Sequence, residues 1–214
     1  MAGETEHSGP SYASRLPKGL LRNCRVLSDR SEILALIPKG KVFCEIGVAL
    51  GDFSEHVLAS CAPSKYYAID DFALHGVPQM WDGRVGRELR GKSHIEYYRE
   101  KFREQVKSRI VDVMAGNINV MLEKLPARGV DIFFLNSDHS YSSVKKALQL
   151  IGAKAAVGAW IIVNDYTMAD WLTNTRYGVI QASHEFMIED GWEMTYLALH
   201  TAMFCVIVIS KAAA

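Results

Sequence analysis

The chain has 214 residues, enough for one domain with a sizeable core that needs no disulfides. Its 24 basic and 24 acidic residues cancel to a formal charge of zero, which removes the electrostatic case for a nucleic-acid or anionic-membrane partner. The four cysteines, at 24, 44, 61 and 205, form no C-x-x-C pair, and no apolar run reaches membrane-spanning length, so the composition points to a reduced, cytoplasmic protein.

Residues 1–16 are rich in Gly, Ser, Glu and Pro and read as a flexible leader without a signal-peptide core, and residues 17–214 read as one domain. In LSDRSEILALIPKG, Ser28 is the expected N-cap, Glu32 lies in the first turn and Ile33, Leu34, Leu36 and Ile37 form an apolar stripe, which predicts a short helix. KVFCEIGVALGDF then reads as a buried strand, a glycine turn from Gly47 to Gly51 and a helix beginning near Asp52. That helix ends at Pro63, and SKYYAIDDF is a second strand finishing at Asp70 and Asp71. Residues 72–94 hold four glycines, a proline and the pair Met80-Trp81, and are expected to form a functional lid.

HIEYYREKFREQV follows as an amphipathic helix and SRIVDVMAGN as a third strand ending at Gly116-Asn117. NVMLEKLPARG is a crossover helix, VDIFFLNSDHSY a fourth strand running into a polar cluster, SSVKKALQLIGAK a helix and AAVGAWIIVNDY a fifth strand. Asp170, Trp171 and Leu172 come next, in a segment placed to line a pocket. The helix GVIQASHEFMIEDG leads to WEMTYLAL and AMFCVIVIS, two strands so closely connected that they must be antiparallel. Strands alternating with helices give an α/β, Rossmann-like doubly wound domain with a mostly parallel sheet and an antiparallel C-terminal hairpin.

Candidate site residues collect at the carboxyl ends of the strands, where open α/β sheets bind ligands. Gly47 and Gly51 let the backbone approach a ligand, and the amides opening the next helix can meet a polar group. The pattern Glu45-x-Gly47-x-x-x-Gly51 lacks the three glycines of a dinucleotide fold. Asp70, 25 residues after Glu45, is placed to accept both ribose hydroxyls of an adenosyl group; the plain alternative is a solvated acid at a strand end. Asn117 is within reach of an adenine ring by the same topology. The fourth and fifth strands bring Asn136, Asp138, His139, Asn164 and Asp165 to one edge.

Glu45, Gly47, Gly51 and Asp70 in this order, on this alternation of elements, resemble the class I S-adenosylmethionine-dependent methyltransferases over about residues 28 to 211. Asn136-Ser137-Asp138-His139-Ser140-Tyr141 is similar to the D-G-D-H-x-Y motif of a bacterial small-molecule subgroup related to the catechol and macrolide-sugar O-methyltransferases. Val163-Asn164-Asp165-Tyr166 resembles that subgroup's later H-D-Y or D-D-Y element. The resemblance implies a seven-stranded sheet and a methyltransferase domain over 17–214. It also implies S-adenosylmethionine held by Glu45, Gly47, Gly51 and Asp70, with Asn117 and Asp138 as additional contacts. The acceptor would be a small molecule methylated on oxygen, with neither nucleic acid nor membrane as a partner. Relatives hold a divalent cation at the equivalent strand ends, which here means Mg²⁺ at Asp138, Asn164 and Asp165. Asn136 stands where the motif has its first aspartate and Ser137 where it has glycine, and a neutral amide binds Mg²⁺ less strongly than a carboxylate.

In such a reaction a hydroxyl nucleophile must lose its proton, either to a base or with the help of a cation. His139 leads as the base, assisted by Asp138 or Asp165; its alternative is to cap the following helix or hold the Asn136 turn. Two other functions stay open. One is a catalytically silent S-adenosylmethionine-binding module, favoured by Asn136. The other is a nicotinamide-dependent oxidoreductase, disfavoured by the missing G-x-G-x-x-G. Enzymes of this size often form homodimers, though no stripe in the sequence marks an interface.

Overall fold

A computed structural model of the protein describes residues 14–136, 138–170, 175–200 and 204–211. Most of the proposed leader, together with Ser137, Trp171 and Leu172, lies outside the described residues. The elements in chain order are β1 (Arg25–Leu27), α1 (Ser31–Leu36), β2 (Val42–Ile46), α2 (Asp52–Cys61), β3 (Lys65–Asp70), α3 (Arg84–Leu89), α4 (His94–Lys101) and α5 (Arg103–Lys107). They continue with β4 (Val111–Ala115), α6 (Ile118–Lys124), β5 (Val130–Leu135), α7 (Tyr141–Lys154), β6 (Ala155–Val163), β7 (Ala169–Asp170), β8 (Thr175–Arg176), α8 (Val179–Asp190), β9 (Trp192–Ala198) and β10 (Val206–Lys211).

Among the described residues the main sheet runs β1-β9-β10-β6-β5-β2-β3-β4. Its neighbours pair in parallel except β10, which is antiparallel to both β6 and β9. The expected α/β sheet with its terminal antiparallel hairpin is therefore present, with eight strands where the resemblance implied seven. The extra strand is β1, whose three residues pair Arg25–Leu27 with Tyr196–Ala198, too short a run to show a period in the sequence.

Two buried clusters flank the sheet. One packs α7 and α8 through Val144, Leu148, Ile151 and Phe186 onto Phe133 and Ile161. The other packs α1, α2 and α4 through Ile33, Val57 and Tyr98 onto Phe43 and Phe134. Val130–Leu135 is buried at five of six positions because helices cover both faces, which is why a parallel strand reads as an unbroken apolar run. From β2 the chain winds outward through β3 to β4, then returns to β5 on the other side of β2 and winds toward β6. The order reverses between β2 and β5, so a crevice opens outside their carboxyl ends.

Three local readings change. Helix α1 begins at Ser31, because Asp29 Oδ1 accepts the Ser31 amide at 2.7 Å; Ser28 bonds Glu32 without capping the helix. HIEYYREKFREQV is two helices, since Phe102 leaves helical geometry at φ −111°, ψ 32°. Residues 72–94 are ordered by α3, whose buried Val85 and Leu89 pack on Leu50 of the glycine turn.

Candidate active site

The glycine turn joins β2 to α2 at the switch point. Gly47 and Gly51 take positive φ angles of 84° and 78°. Gly51 is also required by space, because a Cβ there would stand 2.7 Å from a ring carbon of Phe102. Ala49, between them, holds a left-handed φ of 48°, the strained backbone that collects at ligand sites.

Glu45 points beneath this turn and is 1% exposed. Its Oε2 accepts hydrogen bonds from Ser54 Oγ and Tyr66 Oη, and Tyr98 Oη donates onward to Ser54 Oγ at 2.8 Å. Burial without a cationic partner pushes its carboxyl up to about 8. Glu45 therefore ties β2, α2, β3 and α4 together from below.

Asp70 closes the turn from the side. Its Oδ2 accepts the Val48 and Ala49 amides at 2.8 and 3.4 Å, and its Oδ1 accepts the Phe72 amide at 2.7 Å. Burial raises its carboxyl, while the Phe72 amide and nearby His94 work against the rise. His94 is fully buried, with Nε2 2.6 Å from the Ala49 carbonyl and Nδ1 3.9 Å from Asp70 Oδ1. No local pattern singles out His94, which joins the site across 45 residues of chain.

A cavity of about 300 Å³ opens beside the turn. Phe53, Phe134 and Trp81 give it aromatic walls, and Arg30, Arg84 and Asn136 its polar rim. Trp81 comes from the expected lid, and Arg84 of the same segment is held 2.8 Å from Asp52 at the head of α2. Asn117 lies apart from this cavity and caps α6, its Oδ1 accepting the Asn119 and Val120 amides.

From the turn a polar line runs across the strand ends. Asn136 Nδ2 donates to the Gly47 carbonyl at 3.4 Å, and Asn164 Nδ2 donates to Asn136 Oδ1 at 2.9 Å. Asp165, the next residue, has a left-handed φ of 52° and places Oδ2 3.1 Å from His139 Nε2, at an angle outside hydrogen-bond geometry. The His139 ring stacks on Tyr177, 4.4 Å between centroids and 6° from parallel. Helix α7 is capped by Ser140, whose side chain accepts the Ser143 amide, so the capping alternative for His139 is not realised.

Asp138 turns toward that same helix start. Its oxygens accept the Ser140 amide at 2.9 Å and the Ser140 and Ser143 hydroxyls at 3.1 and 2.6 Å, and these bonds hold its carboxyl below the usual range. Of the two acids considered as partners for His139, Asp165 is the one in contact with it. The donor set does not fit a divalent cation: Asp138 is turned to the serines, and no group of three or more His, Cys, Asp or Glu that could hold a metal ion is found among the described residues.

A second cavity, of about 1070 Å³, begins where His139 and Asp165 end. Ser140, Tyr141 and Tyr166, their neighbours in the chain, and Tyr177 under His139 all line it. A third cleft, of about 530 Å³ at Lys65, Arg109 and Asp112, lies at the amino ends of β3 and β4 and touches none of the candidate residues.

A family model described as a methyltransferase domain matches residues 44–166, from the strand before the glycine turn to the strand end carrying Asp165. The chain belongs to this family. Its cofactor is accordingly S-adenosylmethionine, and the residues around the turn suit that group: aromatic walls for a flat base in the cavity and a carboxylate, Asp70, at the neighbouring strand end. Solved structures share the methyltransferase fold. A SAM-dependent methyltransferase from Aquifex aeolicus matches at TM-score 0.56 and 15% identity over 86% of this chain and 89% of that one. The pyocyanin biosynthetic protein PhzM matches at TM-score 0.58 and 15% identity over 85% of this chain, which spans only 54% of that protein. The [4+2]-cyclase SpnF matches at TM-score 0.58 and 12% identity, over 86% and 80% of the two chains. No protein of curated function matches the methyltransferase by sequence.

Proposed function

We propose that this methyltransferase transfers the methyl group of S-adenosylmethionine to a hydroxyl of a small molecule, with His139 accepting the hydroxyl proton. The observation that carries the reading is the His139–Asp165 pair on adjacent strand ends, with Asn136 of one strand end lining the glycine-turn cavity and Ser140 and Tyr166, the next residues in the chain, lining the larger cavity. Asp165 Oδ2 lies 3.1 Å from Nε2, so its carboxylate stabilises the imidazolium that forms when the ring takes the proton. Stacking on Tyr177 fixes the ring plane, so that the base is oriented before the acceptor arrives.

The cofactor supplies the electrophilic methyl group when bound. Around it the chain positions the turn through Glu45, Asp70 and His94, and Trp81, in the α3 segment packed on Leu50, excludes water. Asp138 is engaged by the serines and Asp165 faces His139, which supports deprotonation by His139 rather than by a bound cation. All four cysteines are free thiols, and no helix among the described residues is long and apolar enough to cross a membrane, which supports a cytoplasmic site of action. Neutral overall charge supports a small molecule over a nucleic acid as acceptor.

The test is calorimetric titration of the ligand-stripped protein with S-adenosylmethionine and S-adenosylhomocysteine, with Mg²⁺ or a chelator, followed by mass spectrometry of products from a hydroxylated acceptor screen. Micromolar binding unaffected by chelator, and an O-methyl product, are expected. Binding that requires Mg²⁺ would return a cation to the strand ends, and products methylated only on nitrogen or carbon would refute the assignment to oxygen.

A further inference from the structure

Resting on the reading of a small-molecule acceptor beside His139, we propose that this acceptor is an amphipathic anion: a multi-ring or long apolar body with an aromatic hydroxyl and a carboxylate at the far end. The cavity of about 1070 Å³ is at the upper end of the range of small-molecule sites, roughly 300–1,000 Å³, so it suits a body larger than one ring. Tyr141, Tyr166 and Tyr177 give it aromatic lining, and Leu21, Ile180 and Leu197 give it aliphatic lining. Aromatic faces of this kind favour a planar ring at the reacting end.

Charge is confined to one side. Arg15 and Lys18, both from the segment before β1, line the cavity, and no carboxylate does so among the described residues. Among the described residues neither cation makes a salt bridge, although the chain carries as many acids as bases overall. Net neutrality therefore conceals a local cationic site, open to an anion that can leave its apolar part against the tyrosines.

The cationic segment is pinned in place by a clasp. The Ser14 carbonyl can only accept, so His184 Nδ1 donates to it at 2.5 Å, and Nε2 of the same ring is hydrogen-bonded to the Tyr166 hydroxyl at 2.6 Å. Tyr166 follows Asp165 directly, so the clasp fixes the distance between the catalytic strand end and the residues next to Ser14. The clasp also engages the Tyr166 hydroxyl, leaving its ring as the contact surface, and burial pushes that phenol up to about 12, out of range for proton transfer. Arg15 and Lys18 are exposed at the rim, where ion pairs are weak, so both together give about tenfold in affinity.

The experiment uses the full chain saturated with S-adenosylhomocysteine, titrated with a matched pair: a hydroxynaphthoic acid and its carboxamide. The acid is expected to bind about tenfold tighter at low ionic strength, with the gap narrowing as salt rises. The R15Q/K18Q double variant should erase the gap while melting temperature and S-adenosylhomocysteine affinity stay unchanged. Equal binding of the pair, or a preference for the acid that survives in the double variant, overturns the anionic assignment. If neither compound binds while S-adenosylhomocysteine does, the aromatic-anion class is wrong and the cofactor reading stands. If S-adenosylhomocysteine itself does not bind, the underlying reading falls and takes the inference with it.

Discussion

Replacing Glu45 by glutamine should remove the pH dependence that this residue imposes on stability. In the folded chain its carboxyl is raised from an ordinary 4.5 to about 8, chiefly by burial, with the charges of Asp70 and Asp52 adding to the rise and the Ser54 and Tyr66 hydroxyls opposing it. The folded state thus keeps a proton that the unfolded chain releases between pH 4.5 and 8. Since the native state binds more protons over that window, its stability falls as pH rises through it, and the loss is complete above the folded pKa. A gap of about three and a half pH units, at about 1.4 kcal/mol per unit, puts the full loss at about 5 kcal/mol. Glutamine is the neutral isostere: its oxygen can accept from Ser54 and Tyr66 as Oε2 does, and it has nothing to titrate. Urea unfolding of the wild type and E45Q at pH 5.5, 6.5, 7.5 and 8.5 measures the difference directly, and subtracting the two curves removes the other titrating groups. The variant should gain on the wild type by about 1 kcal/mol per pH unit up to about pH 8 and then level off. Parallel curves would show that Glu45 ionises normally, and a variant that loses ground with pH would mean the buried group is a stabilised carboxylate.

Asp70→Ala removes the acceptor of the Val48 and Phe72 amides, so it should cost about 1–3 kcal/mol of stability and weaken S-adenosylmethionine binding by calorimetry; unchanged affinity in the folded fraction would take Asp70 out of the cofactor site. Gly51→Ala combines a left-handed φ with a Cβ 2.7 Å from Phe102, and a urea midpoint equivalent to about 2–4 kcal/mol of destabilisation is expected; a loss under 1 kcal/mol would mean the turn relaxes freely. His139→Ala should lower turnover by about 10²–10⁴-fold with S-adenosylhomocysteine affinity intact, and normal turnover would make the His139–Asp165 pair structural.

The sheet was legible in the sequence because parallel strands buried on both faces leave apolar runs such as Val130–Leu135, and because glycines at positive φ punctuate the ends of β2 and α2. Local signals of that kind failed at β1, which is only three residues long and gains its place by pairing with β9, 171 positions away. The same limit explains the site residues that went unnoticed. His94, Tyr177 and the Tyr166–His184 clasp become significant only through contacts across 18 to 170 residues of chain, and none lies in a spacing that a local motif could flag.

Asp70 and Asp138 mark a different limit. Sequence order puts an acid at each strand end or helix start, and that much is correct, but it does not say which donors the acid faces. Asp138 has three donors from the first turn of α7, a local arrangement in which Ser140 and Ser143 satisfy the carboxylate and lower its pKa. Asp70 has three backbone amides from the glycine turn and the residues after β3, yet burial still raises its pKa, so its charge is under-compensated there. An acid that is well solvated by its own helix has little left to offer a ligand, whereas one held by amides but still short of partners gains from ribose hydroxyls arriving beside it. On this argument we propose Asp70 for the ligand, while Asp138 is bonded to its own helix. A cofactor titration of Asp138→Asn beside Asp70→Asn would separate them, with a large loss expected for the second alone; equal losses would show that both carboxylates face the bound cofactor.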